Sequence, residues 1–130
     1  MKSWILLASL FCAVALSSTA SVASKATGDM KKQKATMQFT QPVMLRGVVL
    51  KGEYLFVHDD AAMMRGEACT FVYKGNAEVS SKLVISFHCT PAERLKVQSF
   101  TVRTEEIAGL TQLREFQFGG DTEAHLVPAR

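Results

Sequence analysis

Short runs of alternating apolar and polar residues recur from residue 37 to the end of the chain. Such runs lie at 37–40, 43–50, 53–58, 67–74, 82–90, 95–103, 113–118 and 124–127. Alternation with a period of two is typical of β-strands that bury one face, and the sequence has no long amphipathic helical stretch and no repeat. The pattern predicts an all-β domain, a single antiparallel β-sandwich or small β-barrel of about seven strands, with at most one or two short helical turns.

The clearest predicted element is a hairpin over residues 67–90, which carries one cysteine on each arm. Side chains alternate between the two faces of a strand, so Cys89 falls on the apolar face of the second arm and His88 on the opposite face. A register that places Cys69 opposite Cys89 also aligns the apolar faces of both arms. We therefore predict a Cys69–Cys89 disulfide, worth roughly 3 kcal/mol in the chain-entropy model.

A second hairpin is predicted over residues 43–58. Its two strands are joined by a tight turn at Lys51–Gly52, and Gly47 within the first strand indicates a bulge or a bend. The segment that follows begins with Asp59 and Asp60, either of which is a suitable N-cap for one helical turn.

Residues 1–23 have the features of a secretory signal peptide. Lys2 precedes an apolar run that is too short to span a bilayer comfortably, and small residues at 18–23 suit signal peptidase. The sequence therefore predicts a signal peptide at 1–23, a flexible lysine-rich leader at 24–35 and a β-domain at 36–130. The protein is then secreted or periplasmic by a Sec-type signal, with no transmembrane segment after signal removal. Export also favours the disulfide, since two cysteines remain in an oxidising compartment.

The formal net charge of +3 does not belong to the predicted β-domain. From residue 36 onward, ten lysines and arginines face eleven aspartates and glutamates, a net charge of −1. The positive charge lies in the signal peptide and the leader, where lysines usually form a solvated tail. Because the domain is not basic and has no interleaved aromatic and basic residues, we expect no nucleic-acid partner.

Residues 43–56 read Val-Met-Leu-Arg-Gly-Val-Val-Leu-Lys-Gly-Glu-Tyr-Leu-Phe. This stretch resembles the opening of small secreted bacterial β-domain proteins that are functionally uncharacterised, in which an apolar strand, a glycine and a Leu-x-x-Gly-x-Tyr turn begin the domain. The resemblance implies an exported bacterial β-domain. It implies no activity and no catalytic residues.

The three histidines, His58, His88 and His125, each fall near the end of a predicted strand. Strand ends converge at one rim of a barrel, so a site for Zn²⁺ or Cu²⁺ built from these histidines is one hypothesis. The sequence has no His-x-His, His-x-x-x-His or Cys-x-x-Cys spacing to support it. The favoured interpretation is three half-exposed histidines and no cofactor.

No catalytic residue is predicted. His88 and Cys89 are neighbours in a strand and point to opposite faces, so the imidazole is badly placed to activate that thiol. Asp59 and Asp60 with Glu53 or Glu67 are a conceivable carboxylate pair for a hydrolase, but turn and cap roles explain them better. Gly-x-Ser-x-Gly, His-Glu-x-x-His and glycine-rich phosphate loops do not occur. The sequence leans against an enzyme.

The aromatic residues are expected to form the core, and Tyr54 and Tyr73 become a candidate binding surface if they are exposed. The function expected from the sequence is an exported, non-catalytic β-domain that binds a partner protein, a glycan or another envelope ligand. The alternatives are a small histidine-based metal-binding periplasmic protein and a small hydrolase.

Overall fold

The computed structural model describes residues 30–129, which form one curled sheet of eight strands. The strands are β1 (Lys32–Leu45), β2 (Val48–Asp59), β3 (Thr70–Lys74), β4 (Leu83–Phe87), β5 (Thr90–Glu93), β6 (Thr101–Ile107), β7 (Leu110–Gln117) and β8 (Glu123–Leu126). A helix of five residues, α1 (Asp60–Met64), follows β2, and a 3₁₀ turn (Ser80–Lys82) precedes β4. The all-β prediction is confirmed. The predicted signal peptide and the first half of the leader lie outside the described residues. Within residues 30–129, no helix has the length and apolar character needed to cross a membrane.

The order of strands in the sheet explains why it curls. Neighbours follow the order β4–β3–β2–β1–β7–β8–β5, and β6 pairs with the other edge of β7. β4 and β5 therefore lie at opposite ends of this order, yet only His88 and Cys89 separate them along the chain. Two residues span only a few ångströms, about 3.3–3.6 Å each. The β4–β5 connection consequently draws the two ends of the sheet together into a seam.

The core lies on the inner face of the curled sheet. Phe56 and Phe116 are fully buried at its centre, with ring centroids 5.6 Å apart. Alternation along β2 sends Tyr54, Phe56 and His58 to this face, while Leu55 and Val57 pack with Tyr73 on the other. His58 is therefore a core position by parity.

The predicted turn at Lys51–Gly52 is wrong. The chain turns at Arg46–Gly47, where φ is 48° and 87°, and Gly52 lies inside β2 opposite Phe39. Two-residue hairpin turns with both φ values positive match the twist of the flanking strands. With the turn at Arg46–Gly47, β1 and β2 pair from Leu45–Val48 to their far ends. Arg46–Gly47 and Lys51–Gly52 are similar in sequence, so the pairing of the two long strands determines which of them forms the turn.

The boundary predicted at residue 36 lies inside a strand. β1 begins at Lys32, and the ammonium groups of Lys32 and Lys34 lie 2.8 Å and 2.7 Å from the Glu78 carboxylate. The last residues of the predicted leader thus belong to the sheet.

The predicted register of the 67–90 hairpin is also wrong. β3 and β4 do pair, but Thr70 lies opposite Phe87, and Cys69 and Cys89 fall just outside the strands. The Cys69 backbone N–H donates to the Phe87 carbonyl at 3.0 Å, and its own carbonyl accepts from Asp59 at 2.9 Å. Cys69 is therefore fixed by backbone hydrogen bonds to two neighbouring segments.

Candidate metal centre

Two cysteines and two histidines meet where the sheet closes on itself. His58 ends the inward face of β2, Cys69 precedes β3, Cys89 lies in the β4–β5 connection, and His125 lies in β8. Cys69, Cys89 and His58 are completely buried, and His125 is 1% exposed. Residues far apart in sequence thus form one compact cluster at the seam.

Three of the four residues in this cluster offer donor atoms that are close enough to share one ion. One ring nitrogen of His58 and the sulfurs of Cys69 and Cys89 all lie within 4.8 Å of one another. The two sulfurs are 3.2 Å apart, and His125 Nδ1 is 3.7 Å from the Cys89 sulfur. The His58 and His125 rings are in contact, with centroids 3.9 Å apart and planes tilted by 33°.

The histidine nitrogens lack the partners that burial normally requires. Neither ring nitrogen of His58 makes a hydrogen bond within the described part of the chain, nor does Nε2 of His125. Asp60 Oδ1 lies 3.1 Å from His58 Nδ1, a close electrostatic contact whose direction falls outside that of a hydrogen bond. A buried polar atom without a partner costs about 1–3 kcal/mol, so the cluster holds unused binding capacity.

Burial shifts the pKa values of His58, His125 and Cys89 toward their uncharged forms. It lowers the pKa of His58 despite the opposing Asp60 and Asp59 carboxylates, and together with His58 it lowers the pKa of His125 to about 4. Burial also raises the pKa of the Cys89 thiol to about 12. Both imidazoles are therefore in the neutral form that binds metals, and the Cys89 thiol is unreactive until something displaces its proton.

The two cysteines face each other as the sequence predicts, but they are not bonded. A disulfide bond is about 2.0 Å long, and the observed separation of the sulfurs is 3.2 Å. The Cys89 N–H donates to the Cys69 sulfur at 3.3 Å, which fixes the pair from the backbone side. The disulfide stays a prediction.

The structure brings together two of the three predicted histidines. His58 and His125 are buried in the cluster and not half-exposed as expected, because both lie on core-facing positions of their strands. His88 is exposed, and its Nδ1 lies 2.9 Å from the Glu67 carbonyl and 3.9 Å from the Cys69 sulfur. His88 is thus beside the cluster and outside the set of buried donors.

A cavity lined by acidic residues adjoins the histidine pair. It has a volume of about 230 Å³ and is lined by Lys31, Gln33, Asp60, Asp121, Thr122 and Glu123. Asp60 contacts His58 as described, and Glu123 Oε1 lies 4.0 Å from His125 Nδ1. Burial, together with the Asp60 and Asp121 charges, raises the pKa of Glu123. The sequence did not predict this cavity, although Glu123 and His125 alternate together along β8.

The other candidate residues from the sequence, Tyr54, Tyr73 and Asp59, have structural roles. Tyr54 and Tyr73 are 5% and 7% exposed and so provide no exposed aromatic surface. Asp59 is the N-cap of α1 and accepts hydrogen bonds from the backbone of Ala61 and Ala62 at 3.0 Å and 3.3 Å. That role explains Asp59 without catalysis.

Comparisons with protein-family models, curated proteins and solved structures found no match to this chain.

Proposed function

We propose that this protein binds one Zn²⁺ ion at the seam, through the thiolates of Cys69 and Cys89 and the imidazole of His58. His125, in contact with the Cys89 sulfur, is the fourth candidate ligand. The observation that carries the proposal is the completely buried imidazole of His58, which makes no hydrogen bond within residues 30–129 and has a nitrogen within 4.8 Å of two buried sulfurs. Two cysteines and two histidines are a common ligand set for structural zinc.

The distances suit a tetrahedral zinc site after a small opening of the thiol pair. With Zn–S near 2.3 Å and Zn–N near 2.0 Å, tetrahedral ligands lie about 3.6 Å apart for S and N and about 3.8 Å apart for two S atoms. The Cys89–His125 distance is 3.7 Å and the Cys69–Cys89 distance is 3.2 Å. The sulfurs must therefore move apart by about 0.6 Å to reach ideal tetrahedral geometry.

Asp60 supports the proposed role of His58. A metal-bound histidine commonly directs its second nitrogen to a carboxylate, which fixes the tautomer and the orientation of the ring. Asp60 Oδ1 is already 3.1 Å from His58 Nδ1, which leaves Nε2 for the ion. A proton on Nδ1 would face this carboxylate once the ring turns toward it.

Burial supports a structural role and not a catalytic one. Catalytic zinc sites keep a coordination position open to water or substrate, whereas structural sites are closed by protein ligands. All four candidate ligands are at most 1% exposed. The ion would tie β2 and β8 to the β4–β5 connection and so hold the curled sheet closed.

A second candidate is the disulfide-stapled domain that the sequence predicts. The sulfurs need to approach by about 1.2 Å to reach the length of a disulfide bond, and they already face each other at 3.2 Å. Oxidation removes both thiolates and so excludes the zinc site. Export into an oxidising compartment, itself a prediction, would favour this state.

The other functions expected from the sequence have weaker support. The binding of a partner protein, glycan or envelope ligand lacks the exposed tyrosines that were to carry it, since both are buried. A hydrolase finds three carboxylates in one cavity, but the volume of about 230 Å³ is below the roughly 300–1,000 Å³ typical of small-molecule sites.

The test is zinc binding by reduced protein that was purified without a metal-affinity tag and without chelator. We expect about one Zn²⁺ per chain by elemental analysis, lost in Cys89→Ser and retained in His88→Ala, because His88 is exposed and outside the buried donor set. Far-UV circular dichroism checks that each variant folds. The proposal is contradicted if the reduced parent binds no stoichiometric zinc or if Cys89→Ser binds as much zinc as the parent. If the protein binds Cu⁺ and no zinc, the ion of the site is copper and the zinc assignment is wrong.

A further inference from the structure

We infer that the acidic cavity beside the histidine pair is the entry route by which a cation reaches the buried site. This inference rests on the proposed function, because it concerns how the same site is filled. A site whose ligands are at most 1% exposed cannot exchange its ion directly with solvent. Some path through the surrounding side chains is required.

The cavity has the position that such a path needs. One of its lining residues, Asp60, is 3.1 Å from the unpartnered Nδ1 of His58, and another, Glu123, is 4.0 Å from Nδ1 of His125. Two carboxylates of the cavity thus lie next to the two buried imidazoles. An ion that leaves the cavity inward meets those imidazoles next.

The charges of the cavity favour a cation. Asp60, Asp121 and Glu123 carry three carboxylates against the single ammonium of Lys31. Asp60 and Asp121 side chains are only 19% and 20% exposed, so their field is weakly screened by solvent. Hard oxygen ligands hold zinc less firmly than thiolates, which suits a transit position.

Lys31 acts against entry in this arrangement. Its Nζ lies 3.2 Å from Asp121 Oδ1 and its side chain is 55% exposed, so it neutralises one carboxylate from the solvent side. Gln33 Nε2 donates to the other oxygen of Asp121 at 2.8 Å. Hydrogen bonds from Gln33 and Lys31 lower the pKa of Asp121 against the opposing effect of burial. Removing the Lys31 charge therefore leaves Asp121 free to attract a cation.

The test is the rate at which the reduced, metal-free protein takes up Co²⁺, followed by the thiolate-to-metal absorption band in a stopped-flow instrument. We expect Glu123→Gln to slow uptake by about threefold to tenfold and Lys31→Gln to accelerate it, since attraction to a focused charge governs the rate. The exposed carboxylate of Glu53, on a distant part of β2, provides the control, and Glu53→Gln should load at the parental rate. At about 1 M salt the differences should shrink below about twofold.

The final amount of Co²⁺ bound separates the two ideas. If the parent binds one ion and Glu123→Gln and Lys31→Gln both load at its rate, the entry route is wrong and the metal site stands. If Glu53→Gln is slowed as much as Glu123→Gln, the effect is one of overall charge and the route is again wrong. If the parent binds no ion through its thiols, the proposed function fails and the route fails with it.

Discussion

His58 is the residue whose surroundings are hardest to explain without a ligand. A neutral imidazole has one donor and one acceptor nitrogen, and burial normally supplies a partner for each. His58 is completely buried, and neither of its nitrogens makes a hydrogen bond within residues 30–129. Its ring contacts that of a second buried histidine, His125, with centroids 3.9 Å apart. A bound cation satisfies one nitrogen directly and orients the other toward Asp60.

We expect His58→Phe to cost the metal-free protein little stability, although His58 is completely buried. Phenylalanine keeps the planar ring against His125 and removes two unpartnered polar atoms, so the free energy of unfolding without metal should fall by less than about 1 kcal/mol or rise. The stabilisation by added Zn²⁺ should disappear, which for the parent is about 2.7 kcal/mol at a hundredfold excess over the dissociation constant. Urea unfolding with and without Zn²⁺ under reducing conditions measures both quantities. A metal-free loss of several kcal/mol, with zinc stabilisation intact, would show that His58 has a purely structural role.

At the scale of elements, a network of charged side chains joins β7 to β6 and to the segment that follows β5. Glu115 of β7 receives a bidentate contact from Arg94, just after β5, at 3.1 Å and 2.9 Å, and Arg103 of β6 donates to it at 2.8 Å. The Glu115 side chain is 11% exposed. Hydrogen bonds from Arg94, followed by the charges of both arginines, lower the pKa of Glu115 against the effect of burial. One carboxylate therefore links three strands.

The network predicts a pH-dependent contribution to stability. Because the pKa of Glu115 is lower in the folded state than in the unfolded state, its stabilisation is complete above about pH 4.5 and is lost as the pH falls through the folded value. We expect Glu115→Gln to reduce the free energy of unfolding by about 2 kcal/mol at pH 7. The difference from the parent should vanish at low pH.

Glu105→Gln is the matched control, because Glu105 pairs with Arg114 at 3.0 Å but is 61% exposed. Exposed pairs contribute about 0–1 kcal/mol, so this variant should stay close to the parent at every pH. Thermal unfolding between pH 3 and pH 7 provides the comparison. Equal losses in both variants, or a Glu115→Gln loss that does not decrease as the pH falls from 7 to 3, would contradict the assigned role of Glu115.

Alternation along the strands was enough to predict part of this structure. It gave the all-β class, and it placed Cys89 inside and His88 outside, where both lie. It gave the wrong register for the 67–90 hairpin, because Cys69 precedes β3 and is held by backbone hydrogen bonds to Phe87 and Asp59. Local patterns do not carry such long-range bonds.

The sequence alone predicted only part of the candidate site. All three histidines fall near strand ends, but which ends meet depends on the order of strands in the sheet, and that order places β8 beside β5 and β7. Without it, the convergence of His125 with His58 and both cysteines had no local signal. The spacing of histidines and cysteines in this chain matches no short metal-binding motif because each ligand comes from a different element.

At the scale of the whole molecule, the candidate ligands gather around the connection between the two ends of the sheet. β4 and β5 are the ends of the strand order and do not pair with each other within residues 30–129, and Cys89 lies in the short connection between them. A metal ion or a disulfide can add stability to such a fold. Either a zinc ion bound by Cys69 and Cys89 or a disulfide between them would hold this seam closed. The two states exclude each other, because a disulfide leaves no thiolate to bind zinc.

Zinc K-edge X-ray absorption of the reduced, zinc-loaded protein tests whether both thiolates and two imidazoles bind the ion. The proposed site predicts two sulfur neighbours at about 2.3 Å and two nitrogen neighbours at about 2.0–2.1 Å from the ion. Cys89→Ser, measured in parallel, should lose sulfur scattering. A coordination shell of nitrogen and oxygen alone, with both thiols still free to titrate, would contradict the account.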